Sequence, residues 1–283
     1  MAERVIRTNG VELATEAFGD PAQASLLLIM GGMASMLWWP EEFCRKLASH
    51  GRHVIRYDMR DTGHSTKYPP GQAPYSRDDF VRDAISVLDG YGIGGAHFVG
   101  MSMGGMIGQV AALDYPSRVL SLTTISTTPV GADGSGLPGS GAAWLEHMSE
   151  TVVDWSDRAQ VIAFMVDDAR LIASTAHPFD AAEIKAFIER DYDRGGGYLS
   201  ATENHARVLN EGPRPERLQE LRMPLLVVHG SADPVFPFEH GIALAKAASG
   251  AKLVRIEGGG HELHRADWET IIGALVAHTG RDS

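Results

Sequence analysis

The sequence predicts an α/β protein in which helices cover both faces of an open, mostly parallel sheet. Strand-like apolar runs alternate with helical patterns over the first 130 residues, and this alternation resumes after residue 210. Only helical patterns separate the two parts. A length of 283 residues is enough for one large α/β domain with an inserted subdomain. We therefore expect a core domain of residues 1–130 and 211–283, and a helical cap of residues 131–210.

The first part of the chain predicts three strands and two helices. Residues 11–18 indicate an edge strand, and Asn9-Gly10 before them is typical of a hairpin turn. The continuous apolar run at residues 25–30 indicates a strand that is buried on both faces. Three elements follow: a helix over residues 38–49 with Pro40 in its first turn, a buried strand at 53–58, and an amphipathic helix at 77–88.

The remaining patterns place a helical insertion between further strands. Short β-rich runs cover residues 96–99 and 121–126, with a helical pattern between them. Residues 131–141 are rich in Gly, Ser and Pro, which is typical of a loop or hinge. The predicted cap helices cover residues 143–150, 158–174, 181–191 and 199–209. The core then resumes with strands at 224–230 and 252–256 and helices at 238–248 and 267–278.

Composition and charge exclude several kinds of partner. The formal net charge of −11 is unfavourable for binding nucleic acid or an anionic membrane. The longest apolar run, residues 26–30, is far too short to span a bilayer, and no signal-peptide pattern precedes the first strand. We therefore expect a cytoplasmic protein that is a monomer or a homodimer. Cys44 is the only cysteine, and its helical surroundings indicate a packed residue rather than a thiol nucleophile.

The most informative stretch is Gly100-Met101-Ser102-Met103-Gly104, which has the pattern Gly-x-Ser-x-Gly. A strand pattern precedes it and a helical pattern follows it, so the serine falls at a sharp strand-to-helix turn. Such a turn holds the serine in a strained conformation with its hydroxyl exposed, and the glycines let strand and helix approach closely. Ser102 is therefore the candidate nucleophile. The alternative is a glycine-rich turn in which the serine only caps the helix.

A serine nucleophile needs a base, and the base needs an acid that fixes its tautomer. On this type of sheet the acid and then the histidine follow the serine in the chain, each on a loop after a strand. Asp233 follows the strand at 224–230, and His261 follows the strand at 252–256 after a run of three glycines. The alternatives are a turn role for Asp233 before Pro234, and His264 as the base. The other histidines are interpreted as surface or packing residues, including His50, His53, His97 and His240.

Acyl transfer also needs hydrogen-bond donors directed at the oxyanion, each contributing about 3–4 kcal/mol. We expect one donor to be the backbone N–H of Met103, directly after the nucleophile. The other is expected to be the N–H of Gly32, in the loop Met30-Gly31-Gly32-Met33 after the first buried strand. The alternative is a plain tight turn at these glycines.

Two further groups of residues lie near the predicted strand ends. Asp58, Arg60, Asp61 and Ser65 lack the spacing of metal ligands, and an Asp–Arg pair that braces a loop is the simpler interpretation. No metal and no cofactor are expected. The methionines form either core or an adaptable apolar pocket, namely Met30, Met33, Met36, Met101, Met103 and Met106. The predicted substrate-pocket residues are Met33, Met36 and Met165.

With these residues the chain resembles the α/β-hydrolase superfamily over its whole length, and more narrowly the aclacinomycin methylesterase group of anthracycline-pathway esterases. The resemblance is carried by residues 27–32, 53–58, 60–65, 100–104 and 275–279. It implies an α/β-hydrolase fold with an eight-stranded sheet. It also implies Ser102 as nucleophile, Asp233 as acid, His261 as base, and Gly32 and Met103 as oxyanion donors. Met30 stands where most members have the histidine of a His-Gly pair, a feature shared with the methylesterase-like subgroup.

The sequence therefore predicts a serine hydrolase that cleaves a carboxylic ester through an acyl-enzyme. The resemblance implies a small-molecule substrate, a methyl ester of a bulky polycyclic or otherwise apolar acid. The same residues would support lactone hydrolysis, carbon–carbon bond hydrolysis or cofactor-free perhydrolysis, and a non-catalytic ligand-binding member is the other alternative. Dehalogenase and epoxide hydrolase chemistry is disfavoured because those relatives have aspartate where this chain has Ser102.

Overall fold

The computed structural model describes residues 3–131, 136–209 and 217–280, whose strands form a single sheet. The strands are β1 (Arg4–Thr8), β2 (Val11–Phe18), β3 (Ala24–Ile29), β4 (Arg52–Tyr57), β5 (Ala96–Met101), β6 (Val119–Ile125), β7 (Leu225–Gly230) and β8 (Lys252–Ile256). Their order across the sheet is β1-β2-β4-β3-β5-β6-β7-β8. The β1–β2 and β2–β4 pairs are antiparallel and the other pairs are parallel. The predicted mostly parallel, eight-stranded sheet is therefore confirmed.

Helices cover both faces of this sheet. They are α1 (Glu41–Ser49), α2 (Arg77–Gly90), α3 (Met103–Asp114), α4 (Ala142–Glu150), α5 (Arg158–Leu171), α6 (Ala181–Gly195), α7 (Leu199–Leu209), α8 (Phe238–Ala247) and α9 (Trp268–His278). The apolar sides of α1 and α9 pack on one face, and those of α2, α3 and α8 pack on the other. None of these helices is long and apolar enough to cross a membrane.

The central strands are buried on both faces because their side chains alternate between two apolar layers. In β3, Leu26 and Leu28 pack on the α1 and α9 side, whereas Leu27 and Ile29 pack on the α2 and α3 side. All four side chains are fully buried. Each contributes about 1.5–3 kcal/mol to folding by leaving water. This double burial explains why β3 reads as a continuous apolar run rather than an alternating one.

The strand β2 is not at the edge of the sheet, so this part of the sequence-based prediction is wrong. It pairs with β4 on one side and with β1 on the other, from Arg4 opposite Thr15 to Thr8 opposite Val11. The predicted turn at Asn9 and Gly10 is present, and both residues have positive φ, 47° and 77°. The edge strand is therefore β1, the first half of the hairpin.

Helices α4 to α7 lie between β6 and β7 in the chain, within the segment predicted as a cap. Side chains of α5 and α6 form a separate apolar cluster that includes Val161, Met165 and Ile188. This cluster packs against Met33 and Trp38, which follow β3. The predicted boundary at residues 210 and 211, and part of the loop at 131–141, lie outside the described residues. The division into core and cap stays a prediction.

Replacing Gly104 with alanine tests how closely α3 approaches β3. A Cβ at this position would lie 2.2 Å from the carbonyl oxygen of Ile29 and 2.5 Å from that of Met30, so backbone would have to move. We expect Gly104→Ala to lower the free energy of unfolding by more than about 3 kcal/mol, as measured by urea unfolding.

Gly273→Ala is the matched control, because Gly273 is also helical and a Cβ there meets no heavy atom within 4 Å. Its higher helix propensity should raise stability by up to about 1 kcal/mol. Equal stabilities of the two variants would contradict the close approach.

Candidate active site

Ser102 forms the turn between β5 and α3 in a strained backbone conformation. Its φ of 52° and ψ of −121° lie in a region that residues other than glycine rarely adopt. The flanking glycines allow the sharp turn, because a Cβ on Gly100 would lie 2.2 Å from the carbonyl oxygen of Gly104. Ser102 is half-buried and lines a large cavity. The structure thus places the serine as a strand-to-helix nucleophile requires.

The oxyanion loop (residues 30–33) passes beside Ser102. A Cβ on Gly31 would lie 3.2 Å from Ser102 Cβ and 3.8 Å from its Oγ. The backbone N–H groups of Gly32 and Met103 donate to no other residue of the described chain. Two free N–H donors, one directly after the serine and one in the loop beside it, are the groups that oxyanion binding needs. The oxyanion role of these two residues stays a prediction.

Asp233 and His261 are hydrogen-bonded across the loops that follow β7 and β8. His261 Nδ1 lies 2.9 Å from Asp233 Oδ2, and Asp233 Oδ1 accepts from the N–H groups of Val235 and Phe236, both at 2.9 Å. Burial raises the pKa of Asp233, but its interactions with His261, His229 and the Phe236 N–H together hold that pKa below its usual value. A charged Asp233 keeps a proton on Nδ1, which leaves Nε2 able to accept one.

The loop that carries His261 is attached to the segment after α5. The His261 N–H donates to the carbonyl oxygen of Ile172 at 2.8 Å. A Cβ on Gly260 would lie 2.1 Å from the same oxygen, so the contact requires glycine. Glu262 adds a second link, since its Oε1 accepts from the N–H of Ser174 at 2.6 Å. The inserted helices therefore help to position the candidate base.

Ser102 and His261 line the same cavity, which has a volume of about 990 Å³. Its walls are mostly apolar and come from the oxyanion loop, α5, α6 and the His261 loop. Among the described residues, the Ser102 hydroxyl makes no direct hydrogen bond to the His261 ring. Catalytic hydrogen bonds of this kind often form fully only when substrate is bound. The structure brings acid and base into contact and places the serine in their cavity.

The predicted pocket methionines have different positions. Met33 and Met165 line the cavity. Met36 does not line it, because its side chain is fully buried at the start of the turn Met36–Trp38. Its backbone N–H donates to Asp58 Oδ1 at 2.7 Å, which holds this turn against the core. Met36 is therefore a packing residue and not a pocket residue in this structure.

Asp168 is a cavity residue that sequence reasoning missed. Its Oδ1 accepts from Trp144 Nε1 at 2.9 Å, and burial raises its pKa. It lies three residues after Met165 and hence on the same side of α5. That spacing was the available signal, but the sequence did not show which side of the helix faces the cavity.

His264, the alternative base, belongs to a different cluster, in which His177 and His264 also line the cavity. Its ring stacks on His177 at 4.3 Å, and His177 Nε2 lies 3.1 Å from Asp267 Oδ1. The ligand atoms of these three residues lie within 4.8 Å of one another, close enough to consider a metal ion. However, His264 Nδ1 accepts from the N–H of Ala266 at 3.2 Å, which puts the ring proton on Nε2 and blocks both nitrogens as ligands. Ring stacking and the His177–Asp267 hydrogen bond explain the cluster better than a metal does.

Asp–Arg pairs do brace the predicted loop, but the charged residues of the predicted group do not pair with one another. Arg60 pairs with Asp83 of α2 at 2.6 and 2.8 Å, and Asp58 pairs with Arg194 of α6 at 2.7 Å. Sequence proximity was misleading here because both pairs join segments far apart in the chain.

Cys44 is buried, and burial raises its pKa to about 12, which suppresses the reactive thiolate.

The sheet order, with the serine turn at the end of its central strand, is that of the α/β hydrolases. A family model described as alpha/beta hydrolase fold matches residues 24–265. The chain belongs to this family. The predicted fold and the resemblance to the superfamily are both confirmed.

Several individual proteins of this family are similar to the chain. The chain is 35% identical over 293 residues to rhodomycin D methylesterase DnrP of Streptomyces peucetius, covering 99% of this chain and 98% of the relative. It is 30% identical over 235 residues to 3-oxoadipate enol-lactonase 2 of Acinetobacter baylyi, covering 80% and 77%. An esterase structure from Exiguobacterium antarcticum has a TM-score of 0.80 at 19% identity and shares the fold over 99% of both chains. The resemblance to anthracycline-pathway methylesterases and the class of ester hydrolase are confirmed.

Asp233→Asn tests whether the Asp233–His261 pair supports catalysis. The neutral amide cannot stabilise a charged imidazole and favours the wrong tautomer, so we expect kcat/KM for a p-nitrophenyl ester to fall by about 10³–10⁴-fold. Asp267→Asn is the matched control, because it alters another Asp–His pair, at 3.1 Å, that has no part in the expected reaction. A comparable loss in the control, or activity within tenfold of wild type for Asp233→Asn, would contradict this role.

Proposed function

We propose that the chain hydrolyses a carboxylic ester with Ser102 as nucleophile, His261 as base and Asp233 as its partner. The proposal is carried by one observation: the strained Ser102 turn and the Asp233-bonded His261 line the same cavity. His261 Nε2 takes the proton as Ser102 Oγ attacks the ester carbonyl, and it later delivers that proton to the leaving alcohol. Asp233 stabilises the imidazolium formed between these steps.

The N–H groups of Gly32 and Met103 bind the oxyanion of each tetrahedral intermediate. In the second half of the reaction, His261 removes a proton from water, which attacks the acyl carbon and releases the acid and free Ser102. Helices α4 to α7 act as a cap, since α5 and α6 supply walls of the cavity. The monomeric or homodimeric state and the cytoplasmic location remain predictions from the sequence.

The substrate is a methyl ester of a bulky, largely apolar acid. A cavity of about 990 Å³ has room for a polycyclic molecule, and Trp38, Phe179 and Phe187 give it apolar walls. The similarity to rhodomycin D methylesterase supports methanol as the leaving group. Lactone hydrolysis is the second candidate, because 3-oxoadipate enol-lactonase 2 is also similar to the chain.

Ser102→Ala tests the nucleophile. We expect kcat for ester hydrolysis to fall by at least about 10⁴-fold, because no other group can form the acyl-enzyme. Labelling by a fluorophosphonate probe, read by intact-protein mass spectrometry, should also disappear. Ser156→Ala, at an exposed serine outside the cavity, should retain both. Persistent labelling or turnover in Ser102→Ala would refute the assignment.

A panel of substrates tests which carboxylic acid the ester contains. Methyl esters of a polycyclic aromatic acid and of a short aliphatic acid, and a small lactone, are compared by kcat/KM. We expect the polycyclic ester to exceed the other two by at least about tenfold, since each additional buried methylene contributes about 0.8 kcal/mol. Preference for the lactone would support the second candidate. Tight binding without turnover would point to a non-catalytic protein.

A further inference from the structure

His205 of α7 lies beneath the oxyanion loop and contacts it directly. The ring is almost completely buried, with 1% of the residue exposed. Its Nδ1 accepts from the backbone N–H of Met33 at 3.0 Å, and its Nε2 lies 2.8 Å from the carbonyl oxygen of Arg60. Both ring nitrogens are therefore occupied by backbone groups, one of them in the loop that carries Gly32.

These two partners determine the protonation state of the ring. An N–H group can only donate, so Nδ1 must be unprotonated, and a carbonyl oxygen can only accept, so Nε2 must carry the proton. Burial lowers the pKa of His205, which keeps the ring neutral. Phe80 packs edge-on against it at 5.2 Å and limits its rotation. The ring is a rigid link from Arg60 to Met33.

The oxyanion loop needs such an external link because its own sequence does not fix its shape. Gly31 and Gly32 have wide conformational freedom. Met33 has a φ of 67°, a left-handed conformation that costs a residue with a side chain about 1–2 kcal/mol. The hydrogen bond to Met33 fixes the peptide plane between Gly32 and Met33, and hence the ψ of Gly32. The Gly32 N–H belongs to the preceding peptide plane, one bond pair away from this anchor, and has no acceptor among the described residues.

We propose that His205 is a positioning residue that holds the oxyanion loop in its donor geometry from the cap side. This inference rests on the proposed function, in which Gly32 supplies an oxyanion donor. Leu209, one helical turn further along α7, also lies next to the oxyanion loop. Its Cδ1 is 4.0 Å from where a Cβ of Gly32 would be. His205 acts through the loop and does not contact the reacting atoms.

Two conservative variants separate the functions of the two ring nitrogens. In His205→Asn the amide oxygen can take the place of Nδ1 and accept from Met33, whereas the bond to Arg60 is lost. In His205→Gln the amide nitrogen can take the place of Nε2 and donate to Arg60, whereas the bond to Met33 is lost. Both variants remove one buried hydrogen bond and are expected to lose similar amounts of stability.

For His205→Gln we expect kcat on a p-nitrophenyl ester to fall about 10–100-fold, with KM within about threefold of wild type. Loss of an oxyanion donor lowers kcat by 10²–10³-fold, and a displaced loop loses part of this. The rate of fluorophosphonate labelling should fall in parallel, because the phosphonyl oxygen also uses the oxyanion donors. His205→Asn should restore kcat to within about threefold of wild type.

Asn204→Ala is the control for stability alone, because Asn204 is buried on the same helix and donates to Asp61 and to the carbonyl of Pro69. It should lower the urea midpoint without lowering kcat. Wild-type kcat in His205→Gln, or an equal loss of kcat in His205→Asn and His205→Gln, would overturn the positioning role. If wild type itself neither turns over an ester nor labels at Ser102, the proposed function fails instead.

Discussion

The close backbone approach between the start of α3 and the end of β3 is the constraint on which the site depends. Gly104 lies directly against the carbonyl oxygen of Ile29, and Gly100 lies against Gly104. This approach brings the Ser102 turn and the oxyanion loop together, since the loop begins at the residue after Ile29. The Met103 N–H, the first of α3, has no acceptor among the described residues, and the helix dipole favours negative charge at this end.

The inserted helices do more than cover this site, because they bind the two loops that follow β3 and β8. His205 of α7 binds the N–H of Met33, and Asp191 of α6 accepts from Trp38 Nε1 at 2.9 Å. The carbonyl of Ile172, just after α5, accepts from the N–H of His261. Each loop carries a candidate catalytic group or lies next to one. Movement of the inserted helices as one rigid body would break all three contacts, so local motion of single helices costs less free energy.

The sequence was informative where a local pattern determines the structure. The Gly-x-Ser-x-Gly motif predicted the turn at Ser102 because both glycines are required by close backbone contacts. Gly100 meets the backbone of Gly104, four residues further on, and Gly104 meets the backbone of Ile29 in the neighbouring strand. The sequence did not predict which side chains form ion pairs when the partners are distant in the chain. Examples are Arg60 with Asp83 and Asp58 with Arg194. Residues 4–8 were not predicted as a strand because one exposed hairpin strand has no continuous apolar run. Met36 could not be told from a pocket methionine, since burial depends on packing that the local sequence does not encode.

Three buried histidines differ in their chemistry because their ring nitrogens have different hydrogen-bond partners. His261 has a carboxylate at Nδ1, which fixes the tautomer with a proton on Nδ1 and leaves Nε2 as an acceptor. His205 lies between an N–H and a carbonyl, a pair of partners that is compatible only with the neutral ring. His229 donates through Nε2 to the carbonyl of Phe236 at 2.7 Å, and burial lowers its pKa. His229 Nε2 also lies 3.6 Å from Asp233 Oδ2, yet its proton is already engaged by Phe236. Asp233 therefore keeps its charge for His261, and the neighbouring histidine does not compete for it.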